Sequence, residues 1–266
     1  MNVVYEHNET ALRNYQGATL DEKECHDHLK GAVKDNLVDR EHREELLDSL
    51  KTLKSDTGFD TNDQLLADIR ALENEEVNVQ NFRIGEAYAE IVLEENFQCR
   101  FHWNELRDAR NPKGNKTGAD LVGFIEVDGQ ILFLFGEVKT SSENANPPQV
   151  MTYQDGMENQ LCDLCDQPEK RRILISYLQN KARLFEDGHQ FKEDFNASVK
   201  AYYTAHGSYQ LVGVLVRDTD PVEEDVSESY HRIKDKILEP TGLKLLALYV
   251  PVKQSDWLKI INETKE

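Results

Sequence analysis

Basic residues are scarce in this chain. Its 266 residues carry 31 Lys and Arg against 50 Asp and Glu, a formal net charge of −19, with an isoelectric point near 4.8. That deficit argues against a protein that grips nucleic acid unaided, because tight phosphate binding draws on Lys and Arg displacing counterions. No apolar run approaches the roughly 18 residues that span a bilayer, so no membrane partner is expected. The opening MNVVYEHNET has neither the basic stretch nor the apolar core of a secretory signal. Four cysteines at irregular positions do not make a disulfide framework, and a cytoplasmic location is expected. Both Gly-rich phosphate loops, GxxxxGK with Ser or Thr and GxGxxG, are missing. Any step driven by a nucleoside triphosphate therefore belongs to another protein. Internal repeats and low-complexity runs are also lacking.

Two residue clusters invite a zinc reading: Cys25-His26-Asp27-His28, and Cys162 with Cys165. A structural zinc site needs four ligands, usually as paired clusters of compatible spacing. These two lie far apart and fall inside amphipathic helix patterns. Cys162 and Cys165 are expected as small core hydrophobes.

What is present divides at about residue 80. Residues 1–80 read as an acidic, helical N-terminal region, with three amphipathic candidates in DEKECHDHLKGAVKD, REHREELLDSLKTLK and NDQLLADIRALENEE. Asp39 and Asn62 are the expected N-caps. Solvated helix faces account for such charge; the alternative is a surface that docks a partner or shields a site. Residues 81–266 alternate helices and strands. The segment NFRIGEAYAEIVLEENF, 81–97, is apolar around most of its circumference, leaving a stripe of Glu86, Glu90 and Glu94, and is expected as a buried helix. Glu86 falls between Leu93 and Phe97 on that projection and is the acid expected to point inward, with Glu90 one turn later. A first strand is expected over 97–103. Next comes a basic loop in which Arg107, Arg110, Lys113 and Lys116 join Arg100 as candidates for phosphate contact.

The chain is organised around GADLVGFIEVDGQILFLFGEVK, residues 118–139. Asp128-Gly129 between apolar runs signals a two-residue type I′ hairpin. With Val127 opposite Gln130, Asp120 lies eight residues before the turn and Glu137 eight after it, directly opposed. Their Cβ atoms would be roughly 5 Å apart on one face, and Lys139 shares that face because strand side chains alternate. Opposed like charges destabilise a sheet; a divalent cation between them, with an ammonium alongside, resolves the conflict. After the hairpin a helix is expected from Pro148 through Cys165, followed by one over 169–186. Strands are expected at 210–217 and 244–252, a helix over 226–238, and a last helix capped by Ser255.

Asp120 with Glu137-Val138-Lys139 on a neighbouring strand resembles the site of the PD-(D/E)XK nucleases. That resemblance implies an α/β fold with a restriction-endonuclease-like αβββαβ core, a mixed sheet flanked by helices, behind the N-terminal helical region. It also implies phosphodiester hydrolysis with Mg²⁺ or Mn²⁺ held by Asp120, Glu137 and the backbone carbonyl of Val138. Lys139 would be catalytic, and Glu86 would supply a further carboxylate from the preceding helix. Gln149 and Tyr153 match a Gln-x-x-x-Tyr element of nucleases related to the recombination enzyme RecB, which adds a nucleic-acid contact. More narrowly, RIGEAYAE, GADLVGF and FGEVKTS behind some 80 acidic residues resemble the HamA family, effector nucleases of bacterial Hachiman anti-phage systems. This likeness implies DNA as substrate and a restraining helicase partner of the HamB type. The competing expectations are a non-catalytic DNA-binding or scaffold subunit of nuclease fold, and a sequence-specific restriction endonuclease. The charge balance speaks against the latter.

Overall fold

Strands, not helices, begin the chain. In the computed structural model, which describes residues 1–55, 62–102, 118–204 and 207–263, β1 (Asn2–Asn8) and β2 (Arg13–Thr19) form an antiparallel hairpin. The expectation of helix throughout 1–80 is corrected for these residues. β1 is exposed along most of its length, and β2 is buried although it reads RNYQGAT. Neither shows the apolar alternation that identifies a half-buried strand. The polar groups of β2 are satisfied one by one instead. Arg13 donates to the carbonyls of Ile237 and Thr241, and the Asn14 amide donates to Ala11 and accepts from Lys244.

Helices follow. α1 (Glu22–His28) opens with a capping box of Asp21 and Glu24 and runs through a π turn at Leu29–Val33 into α2 (Lys34–Leu37). Asp39 takes a left-handed backbone (φ 47°) that separates α2 from α3 (Arg40–Ser55). α4 (Asp63–Glu73) starts at its expected cap, where the Asn62 side chain accepts from the Leu65 N–H at 2.9 Å. These two helices lean on each other and stand apart from both faces of the sheet; none of the described α3 residues is buried. α5 (Asn81–Phe97) has the expected bounds and buries Ile84 to Ala89, Val92 and Leu93. Left-handed Gln98 (φ 53°) ends it and delays the next strand. β3 is therefore only Cys99–Arg100, shorter than the 97–103 expected.

β4 (Leu121–Val127) and β5 (Gln130–Ser141) form the central hairpin. The single helix expected from Pro148 is broken. α6 (Gln149–Thr152) closes one turn, the chain bends at Tyr153–Gly156, and α7 (Met157–Asp166) begins anew. α8 (Pro168–Ala182) precedes α9 (Gln190–Tyr202), which the sequence pattern left unassigned. Its Phe191 and Phe195 pack toward the sheet among Phe124, Phe133 and Phe135. β6 (Gln210–Arg217), α10 (Ser227–Lys234), β7 (Gly242–Tyr249) and α11 (Gln254–Asn262) complete the order. The cap of α11 also differs from expectation: Asp218, not Ser255, accepts the Gln254 N–H at 3.0 Å.

The result is an α/β fold built on a seven-stranded mixed sheet, ordered β1-β2-β7-β6-β5-β4-β3. β2, β7, β6 and β5 run parallel to one another, while β1 is antiparallel to β2, β4 to β5 and β3 to β4. Both sides of residue 80 contribute to this one sheet. One face, with Val138, Val212, Val214 and Leu246, is covered by α1, α5 and α11. The other, with Phe133, Phe135, Leu211 and Leu215, is covered by α7 to α10. Among the described residues no helix is long and apolar enough to cross a membrane.

Candidate active site

The turn that aligns the central hairpin has φ 50° at Asp128 and 75° at Gly129, the paired positive values of a type I′ turn. Register runs as expected from Val127 opposite Gln130 to Leu121 opposite Gly136. Asp120 lies one step beyond, and its N–H donates to the Gly136 carbonyl at 2.9 Å. β4 starts only at Leu121, whereas β5 continues to Ser141 along β6. The site occupies the place where β4 parts from β5.

Here the Asp120 carboxylate accepts the Val138 N–H at 3.0 Å through Oδ2 and lies against the Glu137 carboxyl. Within a strand, a residue's N–H and C=O point to the same side, so the Val138 carbonyl is directed to this same edge. Glu137 is 4% exposed. Burial pushes its carboxyl up to about 9, with Asp120's charge and the hydrogen bond between the two acids adding to the effect and Lys139 opposing it. The pair therefore holds a proton at neutral pH. Lys139 Nζ stands 3.5 Å from Glu137 Oε2 and donates to Gln160 Oε1.

Gln160 was not foreseen. It sits on α7 between the buried Met157, Leu161 and Leu164, and a polar residue within that inward stripe was the available signal. The approach of α7 depends on Gly213, the β6 residue paired with Glu137. A Cβ there would stand 2.5 Å from Met157 Sδ and 3.1 Å from Leu161 Cδ1. The bare backbone lets the helix come close enough to deliver Gln160 to Lys139.

The remaining candidates fall in different places. Glu86 is 7% exposed and paired with Arg83 at 2.5 Å. It rides on α5, which packs on the face of the sheet opposite Lys139: neighbouring Gly85 meets Thr140, whose side chain alternates away from that of Lys139. Glu90 accepts from Asn36 at 2.8 Å, and Glu94 from the Phe101 N–H at 2.9 Å. Among the described residues no group of three or more His, Cys, Asp or Glu has the spacing to hold a metal ion. Glu86 is thus not gathered with Asp120 and Glu137. Gln149 and Tyr153 both face solvent, Tyr153 lying past the end of α6 and 68% exposed. Arg107, Arg110, Lys113 and Lys116 lie outside the described residues. Arg100, expected with them, is corrected to a structural role: it clamps the fully buried Asp194 with two hydrogen bonds of 2.7 and 3.1 Å.

The segment after Lys139 is anchored from below. Buried Arg217 donates to the carbonyls of Glu143 and Ala145, to Asn146 Oδ1 and to Asp225. Asp225 also accepts from Tyr249 at 2.9 Å. This ion pair fixes the β5–α6 connection relative to the site.

Two carboxylates and a carbonyl, all oxygen donors meeting at one sheet edge, match the preference of Mg²⁺ and Mn²⁺. The proton shared by the two acids marks a place where a divalent cation would relieve like-charge repulsion. No protein-family model matches the chain, and no curated protein matches it.

Proposed function

We propose that the chain is a PD-(D/E)XK-type, metal-dependent nuclease that hydrolyses DNA. We further propose that it acts as the effector of a bacterial anti-phage defence complex, held in check by a helicase partner. The observation carrying the first part is the meeting of Asp120, Glu137 and Lys139 where β4 leaves β5. The second part draws on the resemblance of RIGEAYAE, GADLVGF and FGEVKTS to the HamA family. A net charge of −19 fits a nuclease whose DNA capture is delegated.

Asp120, Glu137 and the Val138 carbonyl would hold Mg²⁺ or Mn²⁺, whose chemistry is water activation and neutralisation of phosphate charge. Glu137 must first release its proton, which couples loading of the site to pH. Lys139 stands beside the two acids, 3.5 Å from Glu137 Oε2. From its face of β5 it orients the attacking water and opposes the charge that develops on the phosphate oxygens.

Lys139→Ala and Glu137→Ala test the reading. With folding confirmed by circular dichroism, each is expected to lower Mg²⁺-dependent DNA cleavage by at least about 10²-fold. Retained cleavage in either overturns the assignment. A scaffold without chemistry would show no Mg²⁺- or Mn²⁺-linked thermal shift. A helicase gene beside this one, and suppression of cleavage by its product, are the expected signs of the defence complex.

A further inference from the structure

We infer that Lys170 is a substrate-binding residue that takes a backbone phosphate of the DNA strand next to the scissile one. The inference rests on the nuclease reading of the site and adds to it a substrate that continues past the bond being cut. Lys170 lies in the first turn of α8, and contacts fix it at both ends. Its stem is beside the approach to β4: a Cβ on Gly118, two residues before Asp120, would stand 4.0 Å from Lys170 Cβ. Its ammonium donates to Asp163 Oδ2 at 2.9 Å. Asp163 follows Gln160, the partner of Lys139, by three residues on α7. Side chains so spaced are neighbours, with Cβ atoms roughly 5–6 Å apart. Lys170 is therefore offset from Lys139 by a turn of α7, toward the side where the chain enters β4. That offset is on the scale of the step from one phosphate of a strand to the next.

The pairing with Asp163 suits this role. It uses one of the three N–H donors of an ammonium, and the two side chains are 34% and 49% exposed. An ion pair so open to solvent is weak. A phosphate, with several acceptor oxygens and a full charge, can share the ammonium or draw it away. Until then Asp163 holds the head group in place. In a chain of net charge −19, a cation beside the site meets the need of a polyanionic substrate at that point.

Steady-state cleavage of a DNA duplex by the full chain with Mg²⁺, repeated over a range of NaCl concentrations, tests this. Lys170→Met is expected to raise KM about tenfold, the scale of one charge-assisted hydrogen bond. It should also reduce the slope of log kcat/KM against log salt by about one, the signature of a lost phosphate contact. Asp163→Asn, which releases the ammonium, should lower KM. Arg172→Met is the control. It makes the same change of charge two residues on, roughly 200° around α8, where Arg172 pairs with Glu169 in solvent, and should change KM by less than about twofold. The rise in KM for Lys170→Met should be smaller on bis(p-nitrophenyl) phosphate, which has no second phosphate. An equal rise there would put Lys170 on the scissile phosphate and overturn the inference. So would equal effects of Arg172→Met and Lys170→Met, which would mark a general field. A lysine that only ties α8 to α7 would lower the melting temperature and leave the salt slope as it was, which also overturns it. Lys170→Gln serves in the same comparisons if the methionine variant does not fold. Cleavage that survives Lys139→Ala, or none by the unaltered protein, overturns the nuclease reading itself and this inference with it.

Discussion

Without divalent cations at neutral pH, Glu137 is expected to make the protein less stable than it would be without an ionisable group at that position, and Glu137→Gln measures by how much. An acid whose pKa is raised on folding binds an extra proton in the folded state. Its contribution to stability is intact below the unfolded value, 4.5, and is lost as the pH rises through the folded value, about 9. At pH 7.5 the gap from 4.5 is about 3 pH units, or about 4 kcal/mol as a ceiling. Asp120 shares the cost, so about 2–4 kcal/mol is the expected range. For a chain of this size that is a rise of about 5–10 °C in melting temperature. The assay is thermal unfolding in EDTA from pH 5 to 8.5, comparing the unaltered protein with Glu137→Gln. The variant should gain little at pH 5 and progressively more above it. Millimolar Mg²⁺ should stabilise the unaltered protein and leave the variant nearly unchanged. A variant no more stable at pH 7.5, or a difference that does not grow with pH, refutes the shared-proton account.

Two further predictions concern the frame. Asp225→Ala leaves Arg217 as an uncompensated buried cation and should cost about 3–5 kcal/mol by urea denaturation. Arg217→Met/Asp225→Leu should recover much of that, and a double variant as unstable as the single one would contradict the pairing. Gly213→Ala puts a Cβ 2.5 Å from Met157 Sδ and should cost about 1–3 kcal/mol in stability together with much of any DNA cleavage. Adding Met157→Ala should restore cleavage if displacement of α7 is the cause.

The parts of the fold that could be read in advance share a local origin. α5 follows from an uninterrupted apolar periodicity between Asn81 and Phe97. The Asp120–Glu137 opposition follows from the Asp128-Gly129 turn alone, because a type I′ turn sets the register of every residue outward from it. What escaped did so for identifiable reasons. β2 reads as polar because its neighbours, not its composition, satisfy Arg13 and Asn14. The helix from Pro148 breaks where Gly156 approaches the backbone of Met151 and Tyr153, a contact invisible to hydropathy. Arg100 looked like part of a phosphate-binding loop, and its real partner, Asp194, lies 94 residues away.

By itself, then, the sequence determined the hairpin, the acid pair on one face of it and the lysine beside them, all set by a strand's twofold alternation and one turn. Tertiary structure decided the rest. It extended the sheet by laying Arg13–Thr19 against Leu243–Tyr249, and it kept Glu86 on the far face with Arg83. It buried Glu137 deeply enough to hold a proton, and it brought Gln160 to Lys139 over a glycine. Burial and long-range approach depend on how distant elements pack, and no local pattern of residues encodes them in readable form.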